Sequence, residues 1–183
     1  RREELEKEVE IAVKLGAVPI RPEDEEFPPL LKSYRVEKIY PPRLLFRVGE
    51  RLGDRCYIAV VGTREPGPRG MELAKMLGEE LARAGYSVVT GGASGVDTCA
   101  WKGARGAGGH VVVVAPFLFE KNQQEKRLWR QIKEGETLVS EFLYPPYERA
   151  VTRLLAIRNR VIAGMSAAVI IPETRCEVVG GRC

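Results

Sequence analysis

Three glycines and a serine separate an apolar run from a helical pattern in the stretch VVTGGASGVDTCA, which covers residues 88–100. Glycine adopts positive φ readily and lets backbone N–H groups approach a ligand closely. A turn of this kind that leads into a helix N-terminus is a natural site for a phosphate. The spacing of Gly91, Gly92, Ser94 and Gly95 therefore predicts that backbone amides bind a phosphate here, although a tight turn that binds nothing has the same glycines.

Basic side chains occur where they could complete such an anion site. Arg64 follows the first regular strand, just after Gly62, and its guanidinium could reach a phosphate with two parallel hydrogen bonds. Arg158, Asn159 and Arg160 form a second cluster before another apolar run. Because alternate residues of a helix point roughly 200° apart, we expect one arginine to face the ligand and the other to pack or form an ion pair.

Aromatic and basic residues alternate after the third predicted strand. Phe117 and Phe119 are interleaved with Lys121 and Asn122. Rings next to a lysine could stack on unpaired bases while the lysine binds a phosphate. Core packing explains the two phenylalanines equally well.

The positive charge of the chain is concentrated in one segment. The formal net charge is +4, and residues 121–160 contain nine basic and five acidic side chains, which is the whole surplus. A local surplus of this kind can attract an anionic partner through phosphate contacts. An ordinary solvated helix face has the same composition, so the charge alone does not decide between the two.

The familiar nucleotide-binding motifs are absent. The sequence contains no G-x-x-x-x-G-K-[ST] motif. The first strand leads into VGTREPGPRG, which lacks the G-x-G-x-x-G spacing, and Thr90 and Gly91 stand where a dinucleotide-binding unit has a ribose-binding acid. We therefore predict no NAD, no FAD and no other cofactor.

The residues also lack a hydrolytic arrangement. Ser94 and Ser140 have no histidine nearby in sequence, and the single histidine, His110, begins a strand at the end away from the ligand edge. Asp97 is expected to complement a helix dipole, and Glu141 is a lone carboxylate. The four cysteines form no C-x-x-C pair, which favours reduced thiols in a cytoplasmic protein and no zinc site. We predict no catalytic and no metal-binding residues.

Strands and helices that could position these residues alternate from Cys56 onward. Apolar runs predict strands at 56–62, 86–92, 110–116, 137–141 and 167–173, and helical patterns cover 69–85, 95–109, 123–135 and 148–166. Valine and isoleucine runs without polar alternation indicate strands buried on both faces, as in a parallel sheet. The alternation predicts a Rossmann-like α/β fold, with a doubly wound, mainly parallel sheet in a three-layer αβα arrangement. Ligands of such folds bind beyond the carboxyl ends of the strands.

The first 43 residues differ from this pattern. A helix is predicted between Leu5 and Leu15, followed by a proline-rich lead-in that should be loop, with at most a short helix at 29–33. A short strand is predicted at 44–48. We therefore divide the chain into a lead-in, 1–43, and a Rossmann-like domain, 44–183, which we expect to be truncated because no helix follows its fifth strand. No apolar run approaches the roughly 18 residues of a membrane span, and no membrane contact is predicted.

The motifs VVGTREPGPRG, VVTGGASGVD, KGARGAGGHVVVV, LVSE and above all IRNRVIAGMSAAVII resemble the Rossmann-like domain of the DNA-processing protein A (DprA, also Smf) family over about residues 16–181. The resemblance implies a homodimer that binds single-stranded DNA without hydrolysing it, protects incoming DNA and loads a RecA-type recombinase. It implies a DNA pocket formed by Arg64, the turn at 91–95, Lys121 and the cluster at 158–160. Two features depart from the family: Ala100 and Trp101 replace an alanine–histidine pair, and no tyrosine–proline pair follows the third strand.

An enzyme remains the alternative reading. The lysine-decarboxylase-like (LOG) nucleoside monophosphate phosphoribohydrolases share this sheet and have a P-G-G-x-G-T-x-x-E motif after a late strand. Residues 172–181 read PETRCEVVGG, without the glycine–threonine spacing. A small nucleotide-binding module is the third possibility. We favour the DNA-binding mediator.

Overall fold

A computed structural model describes residues 2–14, 16–33, 40–118, 135–144 and 151–174 of the 183-residue chain. The elements within these residues are α1 (Arg2–Lys14), β1 (Val18–Ile20), α2 (Pro29–Ser33), β2 (Leu45–Gly49), β3 (Tyr57–Val60), α3 (Pro68–Arg83), β4 (Ser87–Thr90), α4 (Val96–Gly106), β5 (Val111–Val114), β6 (Glu136–Ser140), α5 (Val151–Met165) and β7 (Ala168–Ile170). Residues 123–134 of the predicted third helix lie outside the described part.

The strands form one seven-stranded sheet in the order β1-β2-β6-β5-β4-β3-β7. The strands β3 to β7 run parallel, whereas β1 and β2 pair antiparallel at one edge. One apolar cluster packs α1, α3 and α4 on one face of the sheet, and a second packs α2 and α5 on the other. The Rossmann-like, three-layer α/β prediction is therefore confirmed.

The predicted short helix at 29–33 is present as α2, but the prediction of loop in the proline-rich segment before it was wrong at β1. Its central residue, Pro19, lies opposite Phe46 of β2. Proline removes a ladder hydrogen bond, so it is tolerated in an edge strand such as this one. The lead-in also packs on the sheet through Phe27, which is buried. The domain boundary at residue 43 stays a prediction.

Close packing of α3 on α4 positions the start of α4. A Cβ atom at Gly78 would lie 2.1 Å from the carbonyl oxygen of Ala100, and one at Gly103 would lie 2.0 Å from that of Lys75. At the start of α4, the amide of Val96 donates to the carbonyl oxygen of Thr63 at 3.1 Å, which holds the helix N-terminus against the loop that follows β3. No helix in the described part of the chain is both long and apolar enough to cross a membrane.

The only histidine of the chain makes the stability of the fold sensitive to acid. His110 is buried, with ring nitrogens 3.0 Å from Ser87 Oγ and 2.8 Å from Thr137 Oγ1. Burial, assisted by the nearby charge of Arg55, lowers the pKa of His110 from 6.5 to about 4, against the opposing effect of Glu50. The unfolded chain therefore binds more protons than the folded one between these two pH values.

We expect the free energy of unfolding to fall by at most about 3 kcal/mol as the pH is lowered from 6.5 to about 4, because His110 stabilises the fold fully only above its unfolded pKa. Urea titrations at several pH values measure this loss. The variant His110→Gln, which keeps a hydrogen-bonding side chain but does not titrate here, should show a flatter profile. Parallel profiles for the two proteins would assign the acid sensitivity to carboxylates instead.

Candidate functional site

Two loops meet at the carboxyl edge of the sheet and are joined by a buried carboxylate. Asp97, in the first turn of α4, is buried. It accepts hydrogen bonds from the amide of Gly62 at 3.2 Å and from the amide of Gly91 at 2.9 Å. The sequence predicted only an interaction with the helix dipole. The structure shows that Asp97 also connects the loop after β3 to the turn after β4.

The glycine turn has the backbone geometry that its sequence predicted. Gly92 and Gly95 have φ angles of 68° and 83°, in the left-handed region. A Cβ atom at Gly95 would lie 2.4 Å from the carbonyl oxygen of Thr63. Only glycine therefore fits at the point where the turn enters α4.

The amides of this turn fall into two groups. The N–H of Gly91 is occupied by Asp97, and that of Gly92 lies 3.3 Å from its acceptor, Thr90 Oγ1. Within the described residues, the amides at 93–95 donate to no protein acceptor. Backbone N–H groups at a helix N-terminus suit an anion. The amides that remain for a phosphate are therefore those at 93–95.

Arg64 lies between two neighbouring cavities at this edge. The smaller cavity, of about 320 Å³, adjoins the glycine turn, Trp101 and Pro116. The larger, of about 550 Å³, lies between α5 and β7, and Arg64 lines both. Its side chain is exposed. Among the described residues no carboxylate forms an ion pair with it, so its guanidinium is available to an anion.

Arg158 stabilises the glycine turn by donating a hydrogen bond to its backbone. It is buried, and its Nη1 atom donates to the carbonyl oxygens of Gly91 and Val114 at 2.6 Å each. Burial lowers the pKa of Arg158 below its ordinary value, with Asp97 acting in the opposite direction and Arg64 adding to the decrease. A Cβ atom at Gly91 would lie 2.2 Å from that nitrogen. A side chain at position 91 would therefore displace the guanidinium of Arg158 from its carbonyl acceptors.

The other residues of the 158–160 cluster have different surroundings. Arg160 forms an ion pair with Glu141, its Nη2 lying 2.7 Å from Oε1. Asn159 is exposed and lines the larger cavity. The described structure thus brings Arg64, the glycine turn, Arg158 and Asn159 together, and places Arg160 in an ion pair. A role of these residues in binding DNA stays a prediction.

The loop after β5 is described only in part. Phe119 and Lys121 lie outside the described residues, so their predicted contacts stay predictions. Phe117 is buried and packs against Leu154 of α5. Of the two interpretations of this ring, the structure therefore supports core packing.

Sequence reasoning missed Glu173, which orders the loop that carries Arg64. Its carboxylate accepts from the amide of Gly67 at 3.0 and 3.2 Å, and its carbonyl oxygen accepts from the amide of Thr63 at 3.0 Å. Gly67 is the N-cap of α3, where a negative charge is favourable. The two residues are 106 positions apart, so no local pattern could reveal the contact.

The sequence marks Trp101 only as a departure from the family pattern. Its indole N–H donates to Glu136 Oε1 at 2.7 Å, and the guanidinium of Arg105 lies 5.4 Å from the centre of the ring. The same side chain lines the smaller cavity. These contacts fix the ring and give the cavity an aromatic wall.

Gly92→Val is expected to lower the melting temperature by about 5 °C. A β-branched residue at φ 68° is strained by about 1–3 kcal/mol, and its Cβ would lie 2.8 Å from Val113 Cγ1. Thermal unfolding measured by circular dichroism tests this. Ser94→Val adds a similar side chain at an exposed position of the same turn and should change the melting temperature little. An unchanged melting temperature for Gly92→Val would contradict the prediction.

Fold and site together define a Rossmann-like α/β protein with an arginine-flanked cavity at the carboxyl edge of its sheet. Residues 19–177 match the family described as DNA recombination-mediator protein A. The chain belongs to this family, and the resemblance found in its motifs is confirmed.

Individual relatives agree with this assignment. The chain is 30% identical over 164 residues to DNA processing protein DprA of Bacillus subtilis, covering 87% of this chain and 52% of that protein. It is 29% identical over 161 residues to protein Smf of Synechocystis, covering 84% and 39%. The chain thus spans between about two fifths and one half of these relatives.

Two solved structures have the same fold. DprA from Streptococcus pneumoniae superposes with a TM-score of 0.65 and 30% identity, over 84% of this chain and 53% of that one. DNA processing protein A from Helicobacter pylori, studied for its single-stranded DNA binding mode, gives a TM-score of 0.66 at 24% identity, over 86% and 69%.

Proposed function

We propose that this chain binds single-stranded DNA at the glycine turn and acts, without hydrolysing it, as a recombination mediator. The observation that carries the proposal is the exposed Arg64 next to the amides of residues 93–95. A guanidinium and a set of backbone N–H groups at a helix N-terminus are complementary to a phosphodiester. Membership of the DNA recombination-mediator protein A family supports the same function.

The shape of the site favours an unpaired strand. The smaller cavity combines the glycine turn with the ring of Trp101, and the larger has apolar walls next to Asn159. An unpaired base can leave its neighbours and enter such a cavity, whereas the bases of a duplex are stacked and paired. Proteins that bind single strands combine cationic groups with aromatic surfaces in this way.

Binding to single-stranded DNA should exceed binding to duplex of the same length and should weaken with salt. Release of counterions predicts a slope of log K against log salt of roughly −0.7 per neutralised phosphate on a single strand. Fluorescence anisotropy with labelled oligonucleotides over a salt series measures both quantities. Equal affinity for duplex, or an affinity independent of salt, would refute the proposal.

The partners of the proposed mediator follow from the same family and are proposals as well. We propose a cytoplasmic homodimer that delivers the strand to a RecA-type recombinase. Light scattering of the purified chain tests the dimer, and the rate of recombinase filament assembly on coated DNA tests the delivery. Release of free base from nucleoside monophosphates at turnover rates would instead support the phosphoribohydrolase alternative.

A further inference from the structure

A third cavity, away from the glycine turn, is formed partly by residues 40–43, which precede β2 in the chain. Its volume is about 400 Å³. It is lined by Pro22, Phe27, Lys32, Tyr40, Pro41, Pro42 and Arg43. Tyr40 is 74% exposed, which is unusual for a residue with so large an apolar surface. Among the described residues, the lining thus combines an exposed aromatic residue with two cationic side chains and no carboxylate.

Strand register places this cavity at the same edge of the sheet as the glycine turn. Leu138 of β6 pairs with Val48 of β2 and with Val113 of β5, which in turn pairs with Thr90. Because β2 is antiparallel to β6, the residues that precede β2 lie beyond the carboxyl end of β6. Three strand spacings of about 4.8 Å separate β2 from β4, so the two places are about 14 Å apart across the sheet.

The chemistry of the cavity matches one nucleotide of an unpaired strand. Pro41 and Pro42 restrict the backbone next to Tyr40 and therefore limit the positions that its ring can adopt. Arg43 is exposed and has no ion-pair partner among the described residues. A base could stack on the ring while the adjacent phosphate meets the guanidinium.

We propose that Tyr40 and Arg43 form a second contact for the single-stranded DNA that is bound at the glycine turn. The proposal rests on the proposed function, since it requires the strand to be held first near Arg64. A strand that follows the carboxyl edge of the sheet passes from the turn to the cavity across β5 and β6. Single-strand sites on OB folds cover about 4–16 nucleotides, and a strand of that upper length is long enough to reach both contacts here.

The test compares two oligonucleotide lengths on variants of the second contact. A dinucleotide is shorter than the roughly 14 Å between the two contacts and fills one of them, whereas a strand of about 16 nucleotides can fill both. Tyr40→Ala should weaken binding of the longer strand about tenfold, the effect of losing one base–aromatic stack, and should leave the shorter strand unchanged. Tyr40→Phe keeps the ring and should bind both strands like the parent chain. Arg43→Gln should weaken the longer strand, and Arg43→Lys less so.

Each outcome is decisive. If Tyr40→Ala binds the longer strand like the parent, the second contact is refuted while the proposed function stands. If the shorter strand is weakened equally, Tyr40 acts on the first contact and the proposal is also wrong. A parent chain that binds neither length refutes both proposals. Photocrosslinking with 5-iodouracil oligonucleotides should label Tyr40, and labelling confined to other residues would overturn the assignment.

Discussion

Replacing Arg158 with methionine is expected to lower the free energy of unfolding by about 3 kcal/mol. The buried guanidinium donates to two carbonyl oxygens, those of Gly91 and Val114. Methionine fills similar space but donates nothing, and each buried acceptor left without a partner costs about 1–3 kcal/mol. Urea unfolding followed by circular dichroism measures the change.

An exposed arginine on the same helix provides the control. Arg153→Met makes the identical substitution at a solvent-exposed position of α5. Surface changes of this kind are usually within about 0.5 kcal/mol. Equal stability of the two variants would mean that Arg158 does not stabilise the glycine turn, contrary to the prediction.

Replacing Arg64 with alanine should have the opposite signature, a loss of DNA affinity of about ten- to a hundredfold without loss of stability. A hydrogen bond to a charged group contributes about 1.5–3 kcal/mol, and about 1.4 kcal/mol corresponds to a factor of ten in affinity. The exposed side chain makes no ion pair within the described residues, so the fold loses little. Anisotropy titrations and thermal melts on one preparation measure both effects.

A matched charge change separates this local contact from general attraction. Arg83→Ala removes the same charge at the other end of α3, where the guanidinium pairs with Glu79 and Glu80. It should lower affinity far less than Arg64→Ala. If the two variants lose affinity equally, the DNA is held by overall charge; if neither loses any, the binding site lies elsewhere.

Local pattern determined the central elements of the fold. The predicted strand at 110–116 contains β5 at Val111–Val114, and the predicted helix at 69–85 corresponds to α3 at Pro68–Arg83. Runs of valine and the helical spacing of apolar residues are properties of neighbouring residues, so they can be recognised without tertiary information. The position of the glycine turn was also visible in the sequence, because a single residue with positive φ is normally a glycine.

Elements stabilised only by distant partners could not be recognised. The three residues of β1 include a proline and have no alternating pattern, and they form a strand because β2 offers them an edge. Glu173 shows no sign in its own neighbourhood of ordering the loop around Gly67. Such contacts depend on which segments the folded chain brings together.

The arginines show the division between sequence and tertiary structure most directly. From the sequence, Arg64 after the first regular strand and Arg158 and Arg160 on a predicted helix were all candidates to bind an anion. The fold distinguishes them: Arg158 is buried under carbonyl groups 67 and 44 residues away, and Arg160 meets Glu141. Arg64 stays exposed between two cavities. The sequence determined that cations would gather at this edge. Packing decided which guanidinium stays exposed and which acceptors hold the other two, because those acceptors come from segments that only the fold brings together.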